Sequence, residues 1–310
     1  MEKFSFNSAL MHFNNARGPS GFTWKFAAAY ALVYLVLLAI FGGLWAALFG
    51  ATYWELTVNP TASPDLGPLL AMIFGSLLFV PAFLIFWAVF ESAALRRYVR
   101  AEGFSLKFGA DEFRMIGVIL LWMVFGILAY IVSGAIFFGA FGALVYFAQD
   151  NLPITILGGI VMVALGIAIG CFFLYWAVRL SPAGAVSIRD KKLKFLSAKS
   201  ATKGRFWPMF GAFVIVYLVI YAAQFVLQMV IMGVSFGVAF SNPDVIEGDD
   251  FEAFLSLFLN PVTLTLSIVL GLAYLAFNAM VHYAWAGIPA RAAVTDPTWG
   301  GDLSTADTFD

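Results

Sequence analysis

The distribution of basic residues constrains this chain more than any other feature. Six long apolar stretches alternate with polar links. The seventeen Lys and Arg residues fall before the first stretch, after the last, or in the links after the second and fourth, apart from Lys25 and Arg179, which lie just inside the ends of stretches on that same side. The links after the first, third and fifth stretches carry acidic residues and no basic ones. Because cytoplasmic loops are enriched in Lys and Arg, this partition predicts six membrane crossings with both termini in the cytoplasm.

Composition indicates the same class. The chain is 62% hydrophobic and 11% charged, whereas soluble domains carry about 25% charged residues. Most of the outer surface must therefore face lipid. We expect an all-α integral membrane protein built as three antiparallel helical hairpins, with spans at about 24–50, 69–95, 115–148, 154–180, 209–239 and 262–290.

Two polar segments flank the predicted six-helix membrane domain of residues 24–295. Residues 1–23 form a cytoplasmic or interfacial N-terminal segment. Residues 296–310 are polar and acidic, with no apolar periodicity, so we expect them to be poorly ordered unless a partner holds them.

The three predicted hairpins resemble one another. Each even-numbered stretch ends in aromatic residues followed by small ones, and the spacing from Trp176 to Pro182 equals that from Tyr283 to Pro289. A threefold repeat of one hairpin would give this pattern. The general preference for rings and cations at a cytoplasmic boundary explains most of it as well.

The link between the fourth and fifth stretches is the most basic part of the chain. Apolar residues such as Ile188, Leu193 and Phe195 interrupt its charges, which predicts an amphipathic interfacial helix in contact with anionic headgroups. A charge cluster that only fixes topology is the alternative, but it would not need these apolar interruptions. The cations of the predicted lipid contact are Arg189, Lys191, Lys192, Lys194, Lys199, Lys203 and Arg205.

Ionisable residues within a membrane span are costly and therefore candidate functional residues. Glu91 and Arg179 lie at comparable depths near the ends of the second and fourth stretches, so they could form an ion pair. Such a pair more often fixes helix packing than moves ions.

A polar cluster is expected on the last two spans. Gln224 and Gln228 are four residues apart and share a helix face, and the same holds for Asn278 and His282. The four could line a path for a solute, a lipid headgroup or a proton, with His282 as the titrating member. Alternatively, they could be hydrogen-bonded contacts between helices, each worth about 0.6 kcal/mol.

The sequence contains few residues in the arrangements that catalysis or cofactor binding requires. The sequence holds no nucleophile–base set, zinc spacing, phosphate loop or dinucleotide motif. Its one cysteine, Cys171, lies in the middle of the fourth stretch and has neither a disulfide partner nor metal-ligand spacing. We therefore expect no catalytic residues, no metal, no cofactor and no enzymatic activity.

One segment resembles a known group of proteins. The run Thr202-Lys203-Gly204-Arg205-Phe206-Trp207 is similar to the segment before the fifth helix in bacterial six-helix membrane proteins. That group includes the membrane domain attached to some glycerophosphoryl diester phosphodiesterases. The resemblance implies a bacterial cytoplasmic-membrane protein. It does not imply phosphodiesterase activity, which in that group belongs to a separate soluble barrel.

These patterns favour a non-catalytic, multi-pass protein of the inner membrane, with no nucleic-acid partner. It would act through lipids or protein partners at the inner leaflet, with anionic headgroups on the cytoplasmic side and a protein partner or a second copy as further possibilities. The alternative is a transporter or channel for a small solute, a lipid or a proton-coupled substrate, working through the polar cluster of the last two spans.

Overall fold

The computed structural model describes residues 4–58, 66–148, 151–240 and 261–299, and within them the chain is all-helical. Six helices are long and apolar enough to cross a membrane, as the sequence predicted. A short 3-10 helix, Leu196–Ser200, lies in the basic link. The α-helices are α1 Phe6–Leu10, α2 Phe22–Val58, α3 Leu66–Arg100, α4 Ala110–Ala148, α5 Leu152–Leu180, α6 Ala183–Arg189, α7 Phe206–Phe240 and α8 Pro261–Val294.

The six long helices form a ring with one diagonal contact. Going round the ring, each helix touches the next in the order α2, α3, α4, α5, α7 and α8, and α8 closes the ring against α2. Helix α8 also packs against α3, so α2, α3 and α8 form a compact three-helix unit. The contact between α5 and α7 is the thinnest of the ring. Helices α4, α5 and α7 therefore curve around an interior space beside the three-helix unit.

The buried core lies at one end of this ring. Phe26, Phe90 and Tyr283 are fully or almost fully buried there. Away from this end, large apolar side chains are open to the surroundings: Tyr130 is 80% exposed and Phe138 is 74% exposed. An exposed apolar surface of this extent suits a lipid environment and not water.

The same end of the ring carries the ionic contacts and is called the charged end below. Arg96 of α3 pairs with Glu112 of α4, and both side chains are buried. Asp111 lies between two guanidinium groups, 2.7 Å from Arg100 and 2.6 Å from Arg114. Buried charges are tolerated only when they are paired. The Arg96–Glu112 and Arg100–Asp111 pairs fix α3 against the start of α4, and Arg114 pairs with Asp111 within α4.

Small residues let the helices approach one another closely at the charged end. A Cβ atom on Gly184 would lie 3.0 Å from the sulfur of Met115, and one on Gly287 would lie 3.2 Å from the hydroxyl of Tyr98. Ala93 and Ala290, from the small-residue segments noted in the sequence, are buried beside them. The threefold repeat and the antiparallel hairpins stay predictions.

The basic link does not form the single amphipathic helix that we expected. It folds into the buried helix α6, a turn and the 3-10 helix. Lys191 ends α6 with a φ of 53°. The hydroxyl of Ser187 then accepts from the backbone N–H of Lys194 at 2.9 Å and donates to its carbonyl oxygen at 3.1 Å. This pair of hydrogen bonds turns the link back on itself, which a continuous helix could not do.

The start of the C-terminal tail is packed, contrary to expectation. Asp296 is 3% exposed and accepts from the backbone N–H of Thr298 at 2.9 Å. Its carboxylate lies 3.7 Å from the guanidinium of Arg189, which also lies over the ring of Trp299 at 4.8 Å. One acid and one ring therefore attach the tail to the charged end. The rest of the predicted tail, from residue 300, lies outside the described residues.

Candidate functional site: an apolar cavity with one carboxylate

A cavity of about 710 Å³ lies in the space between the three-helix unit and the arc of α4, α5 and α7. Five long helices and α6 contribute to its wall, and it is partly open to the outside. Its lining side chains come from α3 (Trp87, Glu91, Leu95), α4 (Met115, Val118, Ile119, Trp122), α5 (Leu174, Ala177, Val178), the α6 region (Ser181, Gly184, Ala185), α7 (Phe210, Phe213, Val214, Tyr217) and α8 (Trp285, Pro289).

The five long helices that line the cavity do so with residues at helical spacing. On α3 these are Trp87, Glu91 and Leu95, which follow one another at intervals of four. Residues three or four apart lie on one helix face, so each helix turns a single stripe towards the cavity. Ala177 contributes a small side chain to the lining, whereas Gly184 already lies against Met115 and Leu95.

Three tryptophans dominate the cavity wall. Trp87, Trp122 and Trp285 come from α3, α4 and α8, so indole rings approach from different sides. Trp285 packs against Phe213 with the ring centroids 4.7 Å apart, which joins α8 to α7 beside the cavity.

Glu91 is the one acidic residue of the cavity lining, and it is 9% exposed. Its carboxylate Oε2 lies 2.9 Å from Nε2 of His282 on α8. Nε2 lies close enough to be an ion-pair partner but has no well-aligned hydrogen bond within the described residues. The ring of Trp87, which lines the cavity, lies edge to face with that of His282, with the centroids 4.6 Å apart.

The structure gives Glu91 a partner other than the expected Arg179. The two residues share a depth, but α4 lies between α3 and α5 in the ring, whereas α8 packs directly on α3. Glu91 consequently meets His282. The backbone carbonyl of Arg179 accepts from the hydroxyl of Thr202 at 3.1 Å.

The four residues of the predicted polar cluster do not form one network in the described part of the chain. Gln224 donates to the hydroxyl of Tyr274 at 3.3 Å, and Asn278 donates to the backbone carbonyl of Tyr274 at 2.8 Å. His282 instead contacts Glu91. Gln224 and Gln228 both line a second groove of about 460 Å³ between α7 and α8, together with Tyr274.

Tyr274 and Glu91 were the residues that sequence reasoning did not connect to this cluster. Gln224 and Tyr274 lie on different helices, and no sequence spacing links them. For Glu91, its depth near the end of the second span could have suggested His282 as well as Arg179.

The cations of the predicted lipid contact divide into two groups. Arg189, Lys194 and Arg205 are engaged with other parts of the protein. The other four have exposed side chains at the charged end and are called the exposed lysines below: Lys191, Lys192, Lys199 and Lys203.

Asp190 is the acid that holds two of the engaged cations. It lies 2.7 Å from both Arg189 and Lys194. Burial acts to raise the pKa of its carboxyl, but the hydrogen bonds from Arg189 and Lys194 outweigh that effect and lower it. Asp190 is thus a stable anion that pairs with both of these cations within the protein.

Arg205 ties the basic link to the end of α8. Its guanidinium donates to the hydroxyl of Thr295 at 2.8 Å and to the carbonyl of Thr295 at 2.6 Å. Partial burial lowers the pKa of Arg205 from its very high ordinary value, although Arg remains charged in proteins. Arg205 therefore has a structural role, because its bonds to Thr295 use the N–H donors that a lipid phosphate group would need.

His12 is buried in the N-terminal segment at the charged end. Its ring stacks on that of Tyr98 at 5.1 Å. Desolvation by burial, helped by the positive charge of Arg291, lowers the pKa of His12 to about 3. His12 is therefore neutral at physiological pH and acts as an aromatic contact between the N-terminal segment and α3.

Comparisons with family models, with curated proteins and with solved structures find no match to this chain. The functional argument therefore rests on the site itself, because fold alone does not determine function. The site offers apolar volume, indole rings and a single carboxylate–imidazole pair.

Proposed function

We propose that this chain is a non-catalytic, multi-pass protein of the bacterial inner membrane that binds a lipophilic small molecule inside its helix ring. Both termini and the charged end face the cytoplasm in this proposal. The binding site is the cavity of about 710 Å³ beside α3 and α8.

The cavity is the observation that carries the proposal. Ligand pockets generally measure about 300–1,000 Å³ and are lined by apolar and aromatic side chains with few polar groups. The volume of this cavity falls in that range. Glu91, Ser181 and Tyr217 are the lining residues that carry a carboxyl or hydroxyl group. The thin contact between α5 and α7 supports entry from the lipid phase, because these two helices pack less closely than any other neighbouring pair of the ring.

The orientation of the protein is supported by charge. The exposed lysines lie at the charged end, and basic residues near membrane spans favour the cytoplasmic side. Anionic lipids of the inner leaflet attract such cations. The resemblance of the segment before α7 to bacterial six-helix proteins supports the inner membrane as the location.

The test is carbene photolabelling of the full chain in nanodiscs with a neutral trifluoromethyl-phenyldiazirine, read by mass spectrometry. Met115 is 6% exposed and lines the cavity, so an adduct on Met115 requires the probe to enter. We expect this adduct in the wild type and its loss in Ala177→Trp, which fills the cavity.

The matched control is Ala135→Trp, on an exposed position of α4. It should leave the Met115 adduct unchanged. Phe138, which faces outwards, should be labelled in every sample and so reports that the probe reached the lipid phase. A wild-type protein labelled at Phe138 and never at Met115 would refute the proposed function.

A second candidate is transport of a small polar solute along the groove that Gln224, Gln228 and Tyr274 line between α7 and α8. Polar side chains that line a groove within apolar helices favour such a path. Swelling of proteoliposomes in a glycerol gradient tests it. Transport predicts fast swelling that the double change Gln224→Leu/Gln228→Leu abolishes, and swelling no faster than that of empty liposomes would exclude glycerol transport.

A further inference from the structure

We propose that the ligand of the cavity is a lipophilic organic cation: an aromatic or hydrocarbon body with one positive charge, for which Glu91 is the counter-ion. This inference deepens the function proposed above and rests on it. Its basis is the juxtaposition of one buried carboxylate and three indole rings in an otherwise apolar cavity.

The sign of the ligand charge follows from the lining. Glu91 is an acid, and no Lys or Arg is among the side chains that line the described cavity. Charges attract strongly in a low-dielectric interior, whereas a like charge beside a carboxylate is unfavourable. A fatty acid or an anionic headgroup would therefore be repelled by an ionised Glu91, and a cation would be attracted.

His282 stabilises the buried carboxylate of Glu91 when the cavity holds no ligand. A buried carboxylate needs a partner, and the imidazole of His282 on α8, 2.9 Å away, provides one. His282 is not itself among the lining residues. Glu91 can thus face a ligand while His282 supports its carboxylate.

The aromatic wall favours the same ligand class. The face of an aromatic ring attracts cations, and tryptophan does so most strongly. Trp87, Trp122 and Trp285 lie on three different helices around the cavity. An organic cation with a bulky apolar body would bury that body against the lining and set its charge among rings and carboxylate. It would need few hydrogen bonds, and the lining offers few.

The test compares two probes with the same four phenyl groups and opposite charges. Equilibrium binding of tetraphenylphosphonium and tetraphenylborate to the full chain is measured in nanodiscs of neutral lipid, with the uptake of empty nanodiscs subtracted. We expect saturable binding of one phosphonium per chain, at least about tenfold tighter than any binding of the borate, a difference of about 1.4 kcal/mol.

The variant Glu91→Gln removes the charge and keeps the shape. We expect it to weaken phosphonium binding by about tenfold or more and to leave the neutral photolabelling of Met115 in place, which shows that its cavity is intact. The matched control is Glu102→Gln, which removes a carboxylate at the charged end that is 34% exposed in its side chain and does not line the cavity. It should bind phosphonium as the wild type does.

Failure of this inference is distinct from failure of the proposed function. Equal or stronger saturable binding of the borate, or undiminished phosphonium binding by Glu91→Gln with an intact cavity, would overturn the cation assignment while the neutral probe still enters. A neutral lipid ligand would then be the better assignment. Should Glu91→Gln not fold, the comparison of the two probes on the wild type decides the question alone.

Discussion

The carboxylate of Glu91 and the imidazole of His282 lie 2.9 Å apart and join α3 to α8 beside the cavity. The two helices that pack across the ring thus share a polar contact in an apolar setting. The contact has two consequences: it stabilises the three-helix unit, and it holds the carboxylate at the edge of the cavity.

Removing the imidazole alone should destabilise the protein more than removing both groups. His282→Leu leaves Glu91 buried without its partner, and breaking a buried pair in this way costs about 3–5 kcal/mol. The double change Glu91→Leu/His282→Leu leaves no buried charge and should recover most of this loss. Thermal unfolding of the wild type, His282→Leu and the double variant in one detergent measures these differences in stability. A double variant less stable than His282→Leu would contradict the account.

The buried pair of Arg96 and Glu112 should be among the main supports of the charged end. Glu112 also accepts from the backbone N–H of Gly109 at 2.8 Å, which holds the start of α4. Glu112→Ala removes both contacts and leaves Arg96 buried, so we expect a loss of about 3–5 kcal/mol. The partly exposed Glu102 provides the comparison, since Glu102→Ala should cost less than about 1 kcal/mol. Equal melting temperatures for the two variants would refute the prediction.

His12 should make the fold sensitive to mild acid. Its folded pKa of about 3 lies below the ordinary value of about 6.5, so the unfolded chain binds its proton first as the pH falls. The contribution of neutral His12 to the free energy of unfolding is fully present above about pH 6.5. Between pH 6.5 and pH 3 it falls by about 1.4 kcal/mol for each pH unit.

His12→Phe keeps a ring against Tyr98 and removes the titration. Between pH 7 and pH 5 the wild type should lose about 2 kcal/mol more of its unfolding free energy than this variant does. Thermal unfolding at the two pH values measures the difference. The same loss in both proteins would show that other groups govern the acid response.

The exposed lysines should carry the contact with anionic lipid. Changing all four, Lys191, Lys192, Lys199 and Lys203, to Gln should weaken retention of phosphatidylglycerol by the purified chain, because each cation near an anionic surface contributes about 1 kcal/mol. The melting temperature should change little. Native mass spectrometry in micelles containing phosphatidylglycerol or phosphatidylcholine measures the lipid preference.

Arg205→Gln is the informative comparison for the lysine variant. Its guanidinium bonds to Thr295 within the protein, so we expect a lower melting temperature and an unchanged preference for phosphatidylglycerol. The lipid assignment fails if the lysine variant keeps its preference for phosphatidylglycerol, or if Arg205→Gln is the one that loses it.

The class of fold could be predicted from sequence because it depends on one-dimensional quantities. The length of each apolar stretch and its charges predicted six long helices, and six are observed. Depth along a helix is also readable, because each residue advances the chain by about 1.5 Å. Glu91 and His282 were therefore both recognised as residues inside the membrane region.

The side of a helix on which a residue lies, facing the cavity or facing outwards, could not be predicted from the sequence. The membrane-spanning parts of α4 and α5 carry no polar stripe, and the Gln224 and Gln228 pair of α7 marks the groove beside α8 and not the cavity. No polar stripe therefore marks the helix faces that line the cavity. Ala177 and Ala135 both lie in apolar stretches, yet Ala177 lines the cavity and Ala135 faces outwards. The partner of Glu91 was missed for the same reason, since the choice between Arg179 and His282 depends on which helices are neighbours.

The most direct measurement of the central claim is a crystal structure of the full chain with (4-bromophenyl)triphenylphosphonium, whose bromine gives an anomalous signal. The account predicts a bromine peak inside the cavity among Trp87, Trp122 and Trp285, with the phosphonium on the side of Glu91. A peak found only on the outer, lipid-facing surface, or a ring of helices with no space beside Glu91, would contradict it.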